Sequence, residues 1–145
     1  MYKKLIIILA LFLPLNSFGA DLETTVSDAF ELYSVNNFQE AAPMFEEAYY
    51  MAKKNSSKDI SSRFRTSLYA GLSYRGLEEY AQAKAWLKVS LALAEKVNDL
   101  YDIPTLLSYI AEAARLEGNV KEAEEYYGKA LLYADLTNKD KAVLY

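Results

Sequence analysis

Cysteine and histidine are both missing from this 145-residue chain. Their absence removes the thiol nucleophile, the imidazole base and the soft metal-ligand set from which most catalytic and zinc sites are built. No disulfide can hold the fold, so packing alone must do it. Glycine and proline are scarce, at five and three residues, and no glycine-rich phosphate loop or long Gly/Pro/Ser linker occurs. The acidic pairs Glu78-Glu79 and Glu124-Glu125 are helix neighbours whose side chains diverge, so they read as solvated faces and not as acid–base partners. The sequence therefore predicts no enzyme, no metal and no cofactor.

Positive charge is also short: 16 Lys and Arg stand against 20 Asp and Glu. A chain of net charge −4 makes nucleic acid a poor partner, because that binding is dominated by phosphate neutralisation. The distribution is uneven. Residues 21–52 hold seven acids and no base, whereas residues 53–75 hold six bases against Asp59 alone.

The first 20 residues read as a leader. Lys3 and Lys4 precede a nine-residue apolar run, Leu5 to Leu13, closed by Pro14. That run is too short to cross a bilayer, which takes about 20 residues. Ser17 and Gly19 put small residues at the −3 and −1 places, so cleavage after Gly19 is expected, with Ala20 the less suitable alternative. No stable membrane span remains once it is removed. The protein is expected to be periplasmic or secreted.

What the chain does have is a repeat. Phe38-Gln39-Glu40-Ala41, Tyr80-Ala81-Gln82-Ala83 and Val120-Lys121-Glu122-Ala123 are equivalent, with their alanines 42 and then 40 residues apart. Such a period signals stacked helical hairpins that bury a common core through their neighbours. Six helices are expected: about Leu22–Val35, Phe38–Lys54, Lys58–Arg75, Tyr80–Val97, one with Pro104 in its first turn ending at Gly118-Asn119, and Val120–Leu136. The serines of Asn55-Ser56-Ser57 are candidates to cap the third helix. Pro43, five residues into the second, predicts a later start or a bend there. Organisation follows as a leader (1–20), one domain of three repeats over 21–138 (about 22–57, 58–99 and 102–138) and a tail (139–145).

These residues resemble tetratricopeptide repeats. The family's small residue in each first helix matches Ala29, Gly71 and Ala111, and that of each second helix matches Ala41, Ala83 and Ala123. The later small residue matches Ala48, Ser90 and Ala130, with bulky partners Phe45, Leu87 and Tyr127. The spacing is longer than the usual 34, with Ala52, Ala94 and Ala134 aligned in the extra turn, which is similar to the long-repeat branch. Asp28 stands where the family prefers a large apolar residue. The resemblance implies an all-α fold, a right-handed superhelical stack of three hairpins.

It also implies a binding groove lined by the first helices. The matching positions are Val26, Phe30 and Tyr33, then Arg65, Leu68, Tyr69, Leu72 and Arg75, then Ser108, Tyr109, Glu112 and Arg115. The Lys/Asn/Arg carboxylate clamp of the chaperone-binding members is absent here. An apolar, aromatic groove with arginines suits a protein partner offering apolar anchors and an acidic residue. Leu68, Tyr69 and Leu72 read equally well as inter-repeat core. The expected function is thus an exported adaptor that captures a peptide or helix, centred on Arg65, Leu72 and Arg75. The alternatives are a structural subunit that self-associates or joins an envelope assembly and, more weakly, a small-ligand or glycan binder. Self-association, as a homo-oligomer, would use Tyr126, Tyr133 and Leu136 at the open end of the stack.

Overall fold

The computed structural model describes residues 21–56 and 58–143, with side chains placed as far as Leu136. The leader, its cleavage site and Ser57 lie outside the described residues, as do Leu144 and Tyr145. Among the described residues there are six helices and no strand: α1 Leu22–Ser34, α2 Phe38–Asn55, α3 Ile60–Gly76, α4 Tyr80–Lys96, α5 Asp102–Glu117 and α6 Val120–Val143. Each helix packs on its neighbours in sequence, which makes an all-α stack of three hairpins.

Short polar side chains start the helices. Asp21 accepts a hydrogen bond from the Thr24 N–H at 2.8 Å, and Asp59 accepts one from Ser62 N–H at 3.0 Å, each satisfying one of the orphan donors of a first turn. Asp59 therefore fixes the start of α3 at Ile60, two residues later than the sequence reading. Ser56 does not cap that helix; its Oγ accepts from the Lys58 N–H inside the turn. Pro43 is exposed and α2 runs without a break from Phe38 past it, so the helix does not start late. On the solvent side the carbonyl that proline leaves unpaired can be hydrated. The sixth helix also differs from expectation, continuing beyond Leu136 to Val143 through the segment read as a tail.

The three hairpin turns share one geometry. Asn36, Glu78 and Gly118 occupy equivalent repeat positions, and all three are left-handed, with φ of 60°, 62° and 92°. Gly118 and Asn36 are types that tolerate that region, but glutamate is not. Gly76 has a different role. A Cβ there would lie 2.4 Å from Cδ2 of Phe38, so the end of α3 passes against the ring that opens α2.

The repeat alanines do what their size suggests. Ala29, Ala41, Ala48, Ala83 and Ala111 are fully buried at the helix crossings. At Gly71 a Cβ would meet Leu87 Cγ at 2.8 Å, because α3 and α4 touch backbone to side chain there. One repeat departs from the alanine pattern: Ser90, in α4, meets Ser67 of α3 through a buried 2.7 Å hydroxyl pair. Two apolar clusters result. One joins Ala29, Ala41, Phe45 and Ala70 in the first half, and the other centres on Leu87, Leu106 and Ile110 in the second.

Candidate functional site

The first helices of the hairpins, α1, α3 and α5, carry the residues that the sequence places in a groove. Between α1 and α3 lies an open groove of about 650 Å³. Leu22, Val26 and Phe30 line one side and Ser61, Ser62 and Arg65 the other. The Arg65 guanidinium sits 5.0 Å from the Phe30 ring centroid, a cation–π contact worth about 0.5–1 kcal/mol at an exposed site. Asp59 stands at the α3 N-terminus beside this groove. Its carboxyl is held below the usual range by hydrogen bonds from Ser62.

Next to it lies an aromatic cluster. Phe30 and Tyr33 each meet Tyr69 edge-on, with centroids 4.6 and 5.1 Å apart, and Phe30 also meets Phe45 at 5.0 Å. Burial, and then the neighbouring Tyr69, raises the pKa of the Tyr33 hydroxyl. Offset edge-to-face rings of this kind each add about 0.5–1.5 kcal/mol beyond area burial. Of these rings Phe30 lines the groove, and its packing against the first core cluster holds it in place.

Other predicted residues are placed differently. Leu68 and Leu72 are half-buried and pack against the second core cluster, at the boundary between groove and core. Arg75 is not a free anchor. Its Nη1 donates to Glu112 Oε2 at 3.1 Å and its guanidinium lies 5.6 Å from the Tyr109 ring centroid. Three predicted groove residues are thus brought together, but onto each other, as a clip between α3 and α5. Arg115 is exposed. Ser108 donates to the Pro104 carbonyl and lines a separate groove between α5 and α6.

Of the residues named for the open end, Leu136 is 52% exposed. Tyr126 and Tyr133 are half-buried, and both pack against the second core cluster. Lys88 and Lys129 lie 5.4 and 4.8 Å from the Tyr126 ring centroid, which draws that ring into the surface charge pattern. Among the large apolar residues described on α6, Leu131 and Leu132 are the most open to solvent, at 69% and 66%, and the sequence analysis names neither.

Two polar constellations were also missed. Glu46 accepts a 2.6 Å hydrogen bond from Trp86 Nε1, and the nearby Tyr74 hydroxyl is pushed up to about 12 by burial and then by its hydrogen bond with Glu46. On α4–α6, Lys84 bonds both Glu117 and Glu122, and Lys88 bonds Glu122 at 3.0 Å. Both tie second helices to neighbouring hairpins. No group of three His, Cys, Asp or Glu placed to hold a metal ion occurs among the described residues. None of their helices is long and apolar enough to cross a membrane.

Comparison with solved structures supports the architecture. The tetratricopeptide domain of Arabidopsis FLU superposes with a TM-score of 0.70 at 16% identity, over 79% of this chain and 95% of that one. Aspartyl phosphate phosphatase F from Bacillus subtilis superposes with a TM-score of 0.71 at 24% identity, over 81% of this chain. The chain spans only 30% of that phosphatase. No family model and no curated protein matches the sequence. The fold is a tetratricopeptide-like helical repeat stack.

Proposed function

We propose that the protein is an exported, non-enzymatic adaptor that captures a peptide or a helix of a partner protein in the groove between α1 and α3. The observation that carries this reading is the groove's composition. It offers an apolar wall of Leu22, Val26 and Phe30, and Arg65, which makes no ion pair among the described residues; Glu23, Ser27, Ser61, Ser62 and Thr66 complete the lining. A preformed cleft with one apolar wall, a cation at Arg65 and a carboxylate at Glu23 suits a partner that inserts an apolar anchor and sets an acidic side chain on Arg65. The Phe30 ring, held by the core, loses little entropy when a partner arrives. With Arg75 engaged by Glu112, the centre of the site moves from the middle of the stack to its first two hairpins.

Two experiments test this. Capture after crosslinking in the native compartment should recover one dominant protein with the wild type. The double variant Val26→Lys with Arg65→Glu should lose it at unchanged helicity. Undiminished capture by that variant contradicts the groove assignment. Export is checked by intact mass: the protein recovered from its host should begin at Ala20, and a retained Met1 would refute cleavage.

A further inference from the structure

Opposite charges on neighbouring first helices are used in two ways. Between α3 and α5, Arg75 and Glu112 close on each other at 3.1 Å. Between α1 and α3, Glu23 and Arg65 line one groove and stay open. Both are exposed, and neither makes an ion pair among the described residues. The geometry keeps them apart. The Arg65 guanidinium stands over the Phe30 ring at 5.0 Å. Glu23 lies seven residues before Phe30 on α1, about 10 Å away at the helical rise. Val26 fills the wall between the two charges, and Leu22 adjoins Glu23.

We propose that Glu23 is a second charge selector in this site, which takes a partner helix carrying an acidic and a basic side chain seven residues apart with apolar residues between them. The acid pairs with Arg65, the apolar residues pack on Val26 and Phe30, and the base pairs with Glu23. This selection presupposes capture in the α1–α3 groove, and Glu23 adds to it the sign of the second charge.

A helix fits this cleft better than an extended segment. Both walls are helix surfaces, which pair their backbone groups internally, so an extended chain would find few partners for its own N–H and C=O groups. On a helix, side chains seven residues apart share a face at a spacing of about 10 Å, which matches the distance from Glu23 to the ring beneath Arg65. The chain's own Glu47, Tyr50 and Lys54 on α2 carry the same pattern and are exposed. The Tyr50 ring, however, lies against Tyr49 and Trp86 at centroid distances of 5.3 and 6.1 Å. A second copy would have to break those contacts to insert it.

The test uses purified protein and two labelled alanine-rich peptides, each held helical by a covalent bridge on its far face. One carries Glu-x-x-Leu-Leu-x-x-Lys, and in the other the Lys is replaced by Glu. Fluorescence anisotropy at low salt should show saturable binding of the first, weakened by Arg65→Glu. The second should bind about fivefold more weakly, the scale of one exposed charge pair. Glu23→Lys should invert that preference with the circular dichroism unchanged. Equal affinity for the two peptides, or a preference that Glu23→Lys leaves in place, overturns Glu23 as a selector. If Arg65→Glu still weakens binding in that case, the groove stands as the capture site without it. Absence of saturable binding of the first peptide also overturns the proposal, while partner capture by the wild type and its loss in Val26→Lys with Arg65→Glu remain the separate measure of the groove. A dimer of the peptide-free protein that Glu23→Lys or Lys54→Glu dissolves overturns it too, since a second copy would then fill the site.

Discussion

Arg75 of α3 and Glu112 of α5, 37 residues apart, close a 3.1 Å ion pair between the first helices of the second and third hairpins. Both side chains are about one-third exposed, so solvent screens the attraction and the pair contributes about 0.2–1 kcal/mol. Glu112→Gln should therefore lower urea-unfolding stability by less than about 1 kcal/mol, and the loss should shrink in high salt. A loss of several kcal/mol would mean the pair holds the stack together.

Glu78 carries strain that its repeat equivalents avoid. It sits at φ 62° where Gly118 and Asn36 stand in the other hairpins. A left-handed conformation penalises an ordinary L-residue by about 1–2 kcal/mol, and glycine loses part of that gain to unfolded-state entropy. Glu78→Gly should raise stability by about 0.5–1 kcal/mol. The check is the unfolding midpoint in urea, with an unchanged slope; a lower midpoint would contradict the strain.

Acid should weaken the contact between the last two hairpins. Hydrogen bonds from Lys84, then Lys88, hold the Glu122 carboxyl below its ordinary value of 4.5. A carboxyl depressed in the folded state stabilises above its unfolded pKa, and that stability drains away as pH falls through the folded pKa. For Lys84 burial works against the charge, yet the bonds to Glu117 and Glu122 outweigh it and raise the pKa above 10.5. Its share is complete below that value and disappears only as pH rises past the folded pKa. Melting temperature should fall between about pH 5 and about pH 3 in the wild type. The fall should be smaller in Lys84→Met with Lys88→Met. Equal slopes would remove Glu122 from the acid response.

Much of this was legible in the chain because small residues recur. Ala41, Ala83 and Ala123 fixed the hairpin register, and once the register is known the buried positions follow from the 3.6-residue helical period. Pairings across hairpins were not legible. Whether Arg75 faces solvent or Glu112 depends on the relative rotation of two helices, which spacing along one helix does not report. The same holds for Leu68 and Leu72, which lie on the boundary between groove and core. At the far end, Leu131 and Leu132 looked like ordinary members of an apolar helix. Leu131 is 69% exposed, whereas Tyr49 and Leu91 at the equivalent repeat positions are buried.

The central claim, that a partner protein occupies the α1–α3 groove, is tested most directly by site-specific photo-crosslinking in the native compartment. A photoreactive residue at position 26 lies in the groove wall, and one at position 47 lies on the exposed side of α2. The account predicts one discrete adduct from position 26, absent from position 47 and abolished by Arg65→Glu. No adduct from position 26, or the same adduct from both positions, would contradict it.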